Sequence, residues 1–201
     1  MTTGPEQLLR EARGGDAAAV GRLLELYRRY LTLLARVQIG QRLQGKVDAA
    51  DLVQDTFLDA HRNFARFRGA SEGELVGWLR QILAAKLADL LRRYLGTRGR
   101  DVRLERGIRE AIDQSSVLLD RGLVAHQSSP SQQAARREQA VLLADALGEL
   151  PDSYREVIVL RHLEGLTFPE VARRMARSVD SVEKLWMRAL AQLRQRMQGV
   201  T

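Results

Sequence analysis

Apolar residues along this chain recur at intervals of three and four, the period of a helix with one buried face; no stretch alternates like a strand. Asp16 predicts a helix start, followed by a stripe of Val20, Leu23, Leu24, Tyr27, Leu31, Leu34 and Ala35. Gly40 and Gly45 predict a turn. A second helix is predicted from about Ala49 to Phe64, with Leu52, Val53, Phe57, Ala60 and Phe64 on one face. The segment RFRGASEG breaks the pattern. Ser71 and Glu74 then form an S-x-x-E capping box, opening a third helix. Its core face is predicted to hold Trp78, Leu79, Ile82, Leu83, Leu87, Leu90, Leu91 and Tyr94, with Gly96 and Gly99 weakening the helix beyond.

From about Arg109 to Ser131 the pattern decays, and HQSSPSQQ has the composition of a flexible linker, although residues 110–120 keep some helical potential. Beyond it, Ser131 predicts a helix carrying Val141, Leu142, Ala146 and Leu147. Ser153 with Glu156 predicts the start of the next helix, ending at Glu164-Gly165. Thr167 with Glu170 predicts a short helix to about Ala176, with Pro169 tolerated in its first turn. The last helix starts after Ser178 and carries Val182, Leu185, Trp186, Ala189, Leu190, Leu193 and Met197. The expectation is an all-α chain of two helical domains, residues 5–109 and 131–198, joined by a flexible linker at 110–130, the second domain containing a helix-turn-helix.

Composition narrows the chemistry. The 201 residues include no Cys, which excludes disulfides, thiolate metal sites and a Cys nucleophile, and suits a reducing compartment. The longest apolar run, Ala140 to Ala144, is too short to span a bilayer, and MTTGPEQLLREARGGD has no signal core. A cytoplasmic chain without membrane insertion is expected. His61, His126 and His162 lack metal-ligand spacing, and neither phosphate-binding glycine loops nor H-E-x-x-H occur. No catalytic residue, metal or cofactor is therefore expected, and no enzymatic activity. Net charge is +7, and Arg outnumbers Lys 29 to 3. Such a balance favours a polyanionic partner, and Arg suits bidentate phosphate and guanine contacts, although a GC-rich coding bias produces the same excess.

Three constellations stand out. The last helix buries Val182, Leu185, Trp186 and Ala189, and presents Asp180, Ser181, Lys184, Met187 and Arg188 near its N-terminal half, the part that enters a major groove. A helical hairpin with a solvated basic face is the plainer alternative. Next, Asp48, Asp51, Asp55 and Asp59 share one helix face, with no basic residue from Asp48 to Ala60. Like charges so spaced repel, and such a stripe on a basic protein suits a basic protein partner or is simply a solvated face. Third, residues 80–109 hold nine basic and three acidic residues and follow the Arg-aromatic segment Asn63 to Gly69. Aromatics interleaved with Arg stack bases and neutralise phosphate, or else Phe64, Phe67 and Trp78 are core.

The run DAADLVQDTFLDAHRNFARFRG, followed by WLRQILAAKLADLLRR, resembles the promoter-melting region two of bacterial sigma factors. ALGELPDSYREVIVLRHLEGLTFPEVARRMARSVDSVEKLWMRALAQLR resembles their helix-turn-helix region four. Two such domains and a short linker resemble an extracytoplasmic-function (group IV) sigma factor of the sigma-70 family. The resemblance implies core RNA polymerase (its β′ and β subunits), promoter DNA and an anti-sigma factor as candidate partners. It places Asp51, Gln54, Asp55 and Leu58 on the β′ coiled coil. It implies that Asn63, Phe64, Arg66, Phe67, Arg68 and Ser71 belong to the loop that holds a flipped base of the −10 element, with Arg80, Lys86, Arg92 and Arg93 facing the same DNA. The resemblance likewise implies that Ser181, Lys184, Met187 and Arg188 face the −35 element. The linker is implied to run near the polymerase active site and RNA exit path. Ala85 stands where the family often has Asn, which removes a direct base contact there. Glu183 stands where many members have a basic residue, implying a different −35 sequence or a missing phosphate contact. A helix-turn-helix regulator acting without polymerase, and a helical adaptor, remain the competing readings.

Overall fold

The computed structural model describes residues 4–43, 47–95, 102–120 and 133–198. These residues contain helices α1 (Pro5–Arg13), α2 (Ala17–Glu25), α3 (Arg28–Leu43), α4 (Ala49–Asn63), α5 (Glu72–Leu95) and α6 (Val102–Asp120). They continue with α7 (Gln133–Gly148), α8 (Asp152–Ile158), α9 (Phe168–Arg174) and α10 (Val179–Gln198). A 3-10 turn, Phe64–Arg66, follows α4, and a π turn, Val159–Leu163, extends α8. No strand occurs among the described residues. The chain divides into two compact units between Gln114 and Ser115.

In the first unit α1 packs on α2, and α3, α4 and α5 pack on one another. Their shared core includes Leu23, Leu31, Leu34, Val53, Leu79, Leu83 and Leu87, all fully buried. The stripe predicted as one helix from Asp16 is broken at Leu26-Tyr27. Tyr27 and Leu31 stay buried across the break, so the apolar period continues and hides it. Tyr27 donates its hydroxyl to Glu72 Oε1 at 2.9 Å. Burial, and then the Glu72 charge, raises the Tyr27 pKa far above the usual phenol range. Gly40 lies inside α3 rather than at a turn, since a helical glycine costs only about 1 kcal/mol; Gly45, Gly96 and Gly99 lie outside the described residues. Helix α1 was not anticipated, although Pro5 occupies a favoured first-turn position and Leu8, Leu9 and Ala12 form its buried face.

Asp16 caps α2 as expected, accepting from the amides of Ala18 and Ala19 at 2.8 and 3.1 Å. Those amides hold its carboxyl below the usual range. Residues 110–120, expected in the linker, are helical instead. Ile108, Ile112, Ser115, Ser116 and Leu119 are buried at helical spacing, and the two serines mask that period in the sequence. The HQSSPSQQ segment and Ser131 lie outside the described residues.

In the second unit α10 packs on α7, α8 and α9. Helix α8 begins at Asp152, so the expected Ser153–Glu156 box does not form. Pro151 takes the cap position with extended backbone, leaving Ser153 inside the first turn. The corner is held instead by Arg155, which donates to the carbonyls of Leu147, Gly148 and Leu150 at 2.9–3.3 Å. Through the π turn, Glu164 N donates to Val159 O and Leu166 N to Leu160 O, both at 3.0 Å. Gly165 then supplies the left-handed φ of +72° that redirects the chain into α9.

Candidate nucleic-acid interface

Helices α9 and α10 form a tight helix-turn-helix. Glu170 Oε2 accepts from Thr167 N at 2.7 Å and Thr167 Oγ1 at 2.6 Å, the expected capping box. These bonds lower the Glu170 pKa. At the other end of α9, Arg177 N donates to Ala172 O at 2.9 Å and Ala176 N to Arg173 O at 3.3 Å. This is a Schellman closure, with Ala176 at φ +51° where glycine is usual. Ser178 Oγ then accepts from Ser181 N at 3.2 Å, starting α10.

Val182, Leu185, Ala189 and Leu193 bury one face of α10. Trp186 is half-buried, edge-on to Phe168 at 5.4 Å, and Arg161 lies over Phe168 at 4.9 Å. The Trp186 indole N–H donates to His162 Nε2 at 2.9 Å. Burial, then the Arg161 charge, lowers the His162 pKa below 6.5. The opposite face displays Asp180, Glu183, Lys184, Met187 and Arg188, with Met187 62% exposed. Lys184 Nζ is paired with Asp180 Oδ2 at 2.8 Å, and Ser181 is half-buried beside them.

The four aspartates of α4 do different things. Asp48 is the helix cap, accepting from Ala50 N at 2.8 Å. Asp59 is paired with Lys86 of α5 at 2.5 Å. Asp51 and Asp55 are exposed and have no ion pair among the described residues. Gln54 and Leu58 share this surface, with Leu58 46% exposed. Arg28 borders it, donating to Gln54 Oε1 at 3.4 Å from both terminal nitrogens and to Glu25 at 2.6 Å.

The loop after α4 bears on the two readings of its aromatic residues, base contact or core. Phe64 and Phe67, read as candidates for contact with a base, are buried. Their ring centroids lie 5.8 Å apart and 6.2 and 5.1 Å from that of half-buried Trp78, so the three aromatics form one cluster beneath the loop. Gly69 lies tight against it: a Cβ there would come within 2.3 Å of the Phe67 ring. Glu74 Oε2 accepts from Ala70 N, Ser71 N and Ser71 Oγ at 2.8–3.0 Å, and Glu74 N donates to Ser71 Oγ at 3.3 Å, so Ser71 caps α5 as expected. Those donors lower the Glu74 pKa. Asn63 is half-buried and donates to Asp59 O at 2.9 Å. Arg66 and Arg68 remain exposed on the rim.

The basic side chains of α5 are mostly engaged. Arg80 pairs with Asp113 of α6 at 3.1 Å and reaches Tyr30 Oη at 3.4 Å. Lys86 pairs with Asp59, and Arg92 with Asp89. Arg93 is exposed and has no ion pair among the described residues. Asp59, Asp89 and Asp113 were not singled out as partners of these bases; the four-residue offset at Asp89-Arg93 and three-residue offset at Asp89-Arg92 were the only local signal. No helix is long and apolar enough to cross a membrane, and no group of His, Cys, Asp and Glu suits a metal ion, among the described residues.

Two helical units, one carrying a helix-turn-helix and the other an Arg-rimmed loop, define a protein of the DNA-binding class. Residues 26–95 match the family described as Sigma-70 region 2, and residues 140–193 match Sigma-70, region 4. The RNA polymerase sigma factor CnrH of Cupriavidus metallidurans is 31% identical over 186 residues, covering 92% of this chain and 90% of that one. The ECF RNA polymerase sigma factor BldN of Streptomyces coelicolor is 31% identical over 188 residues, covering 93% of this chain. This chain spans 63% of the length of BldN. A solved structure of CnrH in complex with the cytosolic domain of CnrY aligns at 26% identity and a TM-score of 0.35, covering 98% of each chain. The chain belongs to the extracytoplasmic-function sigma factors of the sigma-70 family.

Proposed function

We propose that this sigma factor directs core RNA polymerase to promoters and starts transcription there by positioning, without chemistry of its own, in the cytoplasm. The observation that carries this reading is the sorting of charge on α4: Asp51 and Asp55 stand without ion pairs while Asp48 and Asp59 are internally engaged. Two uncompensated carboxylates beside exposed Leu58 suit a basic, partly apolar protein surface, and the β′ subunit supplies it. The exposed face of α10, including Lys184, Met187 and Arg188 with Ser181 at its edge, reads the −35 duplex. The rim of the α4–α5 loop, through Asn63, Arg66, Arg68 and Ser71, meets the −10 element over a pre-packed aromatic base. Arg93 adds a phosphate contact, joined by Arg80, Lys86 and Arg92 when DNA displaces their carboxylate partners. An anti-sigma factor is a further partner that the same exposed surfaces suit.

Run-off transcription with core polymerase on genomic DNA tests the proposal. Transcripts with discrete starts that depend on this chain are expected. Duplex binding without association with core would instead favour a helix-turn-helix regulator, and the proposal would fail.

A further inference from the structure

The exposed face of α10 is unusual for a surface that meets DNA. From Asp180 to Met187 its exposed positions are Asp180, Glu183, Lys184 and Met187, two acids against one base, on a chain of net charge +7. Asp180 and Lys184 neutralise each other at 2.8 Å. Glu183 is exposed and has no ion pair among the described residues. The positions one turn away on either side are Val179, Asp180, Trp186 and Met187, none of them a cation. Attraction to phosphate is therefore left to Arg188, further along the face, and to basic residues around it, such as Arg173, Arg174 and Arg177.

A carboxylate only accepts hydrogen bonds. Against DNA it is repelled by every phosphate and by the acceptor groups of the major groove, namely guanine O6 and N7, adenine N7 and thymine O4. Only the amino groups of cytosine and adenine reward it. On adenine the N6 donor has the N7 acceptor beside it, which repels the second carboxylate oxygen. On cytosine the N4 donor is flanked by a C–H edge, so the carboxylate meets no competing acceptor on that base.

We propose that Glu183 is a base-reading residue that selects cytosine at one position of the −35 element through its N4 amino group. This rests on the reading of α10 as the −35 helix and adds the base that one side chain chooses. Met187, one turn further along the same face, places an apolar side chain beside that contact, suited to a neighbouring pyrimidine edge.

The test uses the full chain bound to core polymerase and a promoter library randomised across the −35 element, comparing wild type with Glu183→Ala and Glu183→Gln. Wild type should enrich cytosine at one position by about tenfold, the size of a good base contact. Glu183→Ala should flatten that position alone and leave the other preferences in place. Glu183→Gln should shift it towards adenine, whose N6 and N7 match an amide. An alanine variant that keeps the wild-type preference at every position overturns the proposal. So does one that binds all sequences more tightly by the same factor, since Glu183 would then act only as an electrostatic brake. Wild-type holoenzyme that enriches no −35 sequence at all overturns the −35 reading itself, a distinguishable failure.

Discussion

The indole nitrogen of Trp186 donates a 2.9 Å hydrogen bond to Nε2 of His162, tying α10 to the π turn at the end of α8. The imidazole accepts only when that nitrogen is unprotonated. Burial lowers the His162 pKa below 6.5, so the folded form favours the neutral ring. The stabilisation is therefore complete above pH 6.5 and is lost as the pH falls through the lower folded pKa. Thermal unfolding of the full chain should show a transition that weakens on acidification through this range. In His162→Gln, whose amide oxygen can accept without titrating, the acid slope should be shallower. Parallel pH profiles for the two proteins would show that the bond does not couple to stability.

Ala176 gives a second expectation. At φ +51° it adopts the left-handed conformation that costs an ordinary residue about 1 kcal/mol relative to glycine. Ala176→Gly should raise the melting temperature of the second unit by a few degrees, about 4–8 °C per kcal/mol for a unit of this size. The Schellman bonds should persist, so −35 binding should not weaken. A lower melting temperature would mean that the turn draws more from the alanine methyl than it loses in backbone strain.

The aspartates of α4 should separate stability from docking. Asp51→Arg combined with Asp55→Arg should weaken binding to core polymerase, at about 2–5 kcal/mol per desolvated charge contact, while circular dichroism stays unchanged. Asp48→Ala should do the reverse, costing about 1 kcal/mol of stability through the lost cap and leaving the docking charges in place. Pull-down and chemical denaturation of the same variants decide the matter. Equal affinity for wild type and the double variant would remove α4 from the polymerase interface.

The aromatic cluster predicts a structural cost at the α4–α5 loop. Phe67→Ala should destabilise the first unit by about 3–5 kcal/mol, as expected for a buried ring. Gly69→Ala should cost about 1–3 kcal/mol, because the new methyl collides with the Phe67 ring and with Glu74 Cβ. Denaturant midpoints measure both. If Phe67→Ala keeps full stability yet loses use of the −10 element, the ring serves DNA directly rather than the core.

Helical period and caps made most of the architecture legible: Asp16, Asp48, Ser71 and Thr167 each sit where a helix begins. What escaped depends on contacts distant in sequence or on patterns interrupted locally. Tyr27 preserves the apolar stripe through a break between two helices, and Ser115 and Ser116 conceal the buried face of α6. The candidate site was legible by position but not by partnership. Four aspartates at helical spacing look equivalent in sequence, whereas Lys86, 27 residues beyond Asp59, removes one of them from the exposed set. Likewise Phe64 and Phe67 become core only once α5 brings Trp78 under the loop.

The π turn at Val159–Leu163 makes the direction of α10 sensitive to chain length as well as to residue type. It accommodates one more residue than an α-helical turn, and each helical residue turns the chain by about 100°. Deleting a single residue there would return the backbone to α-helical phase and swing everything after it round the axis by roughly that angle. His162 would no longer face Trp186, and Gly165 would redirect the chain from the wrong azimuth. Length in this five-residue stretch thus sets the angular aim of α9 and α10, as a shim sets the bearing of a hinge.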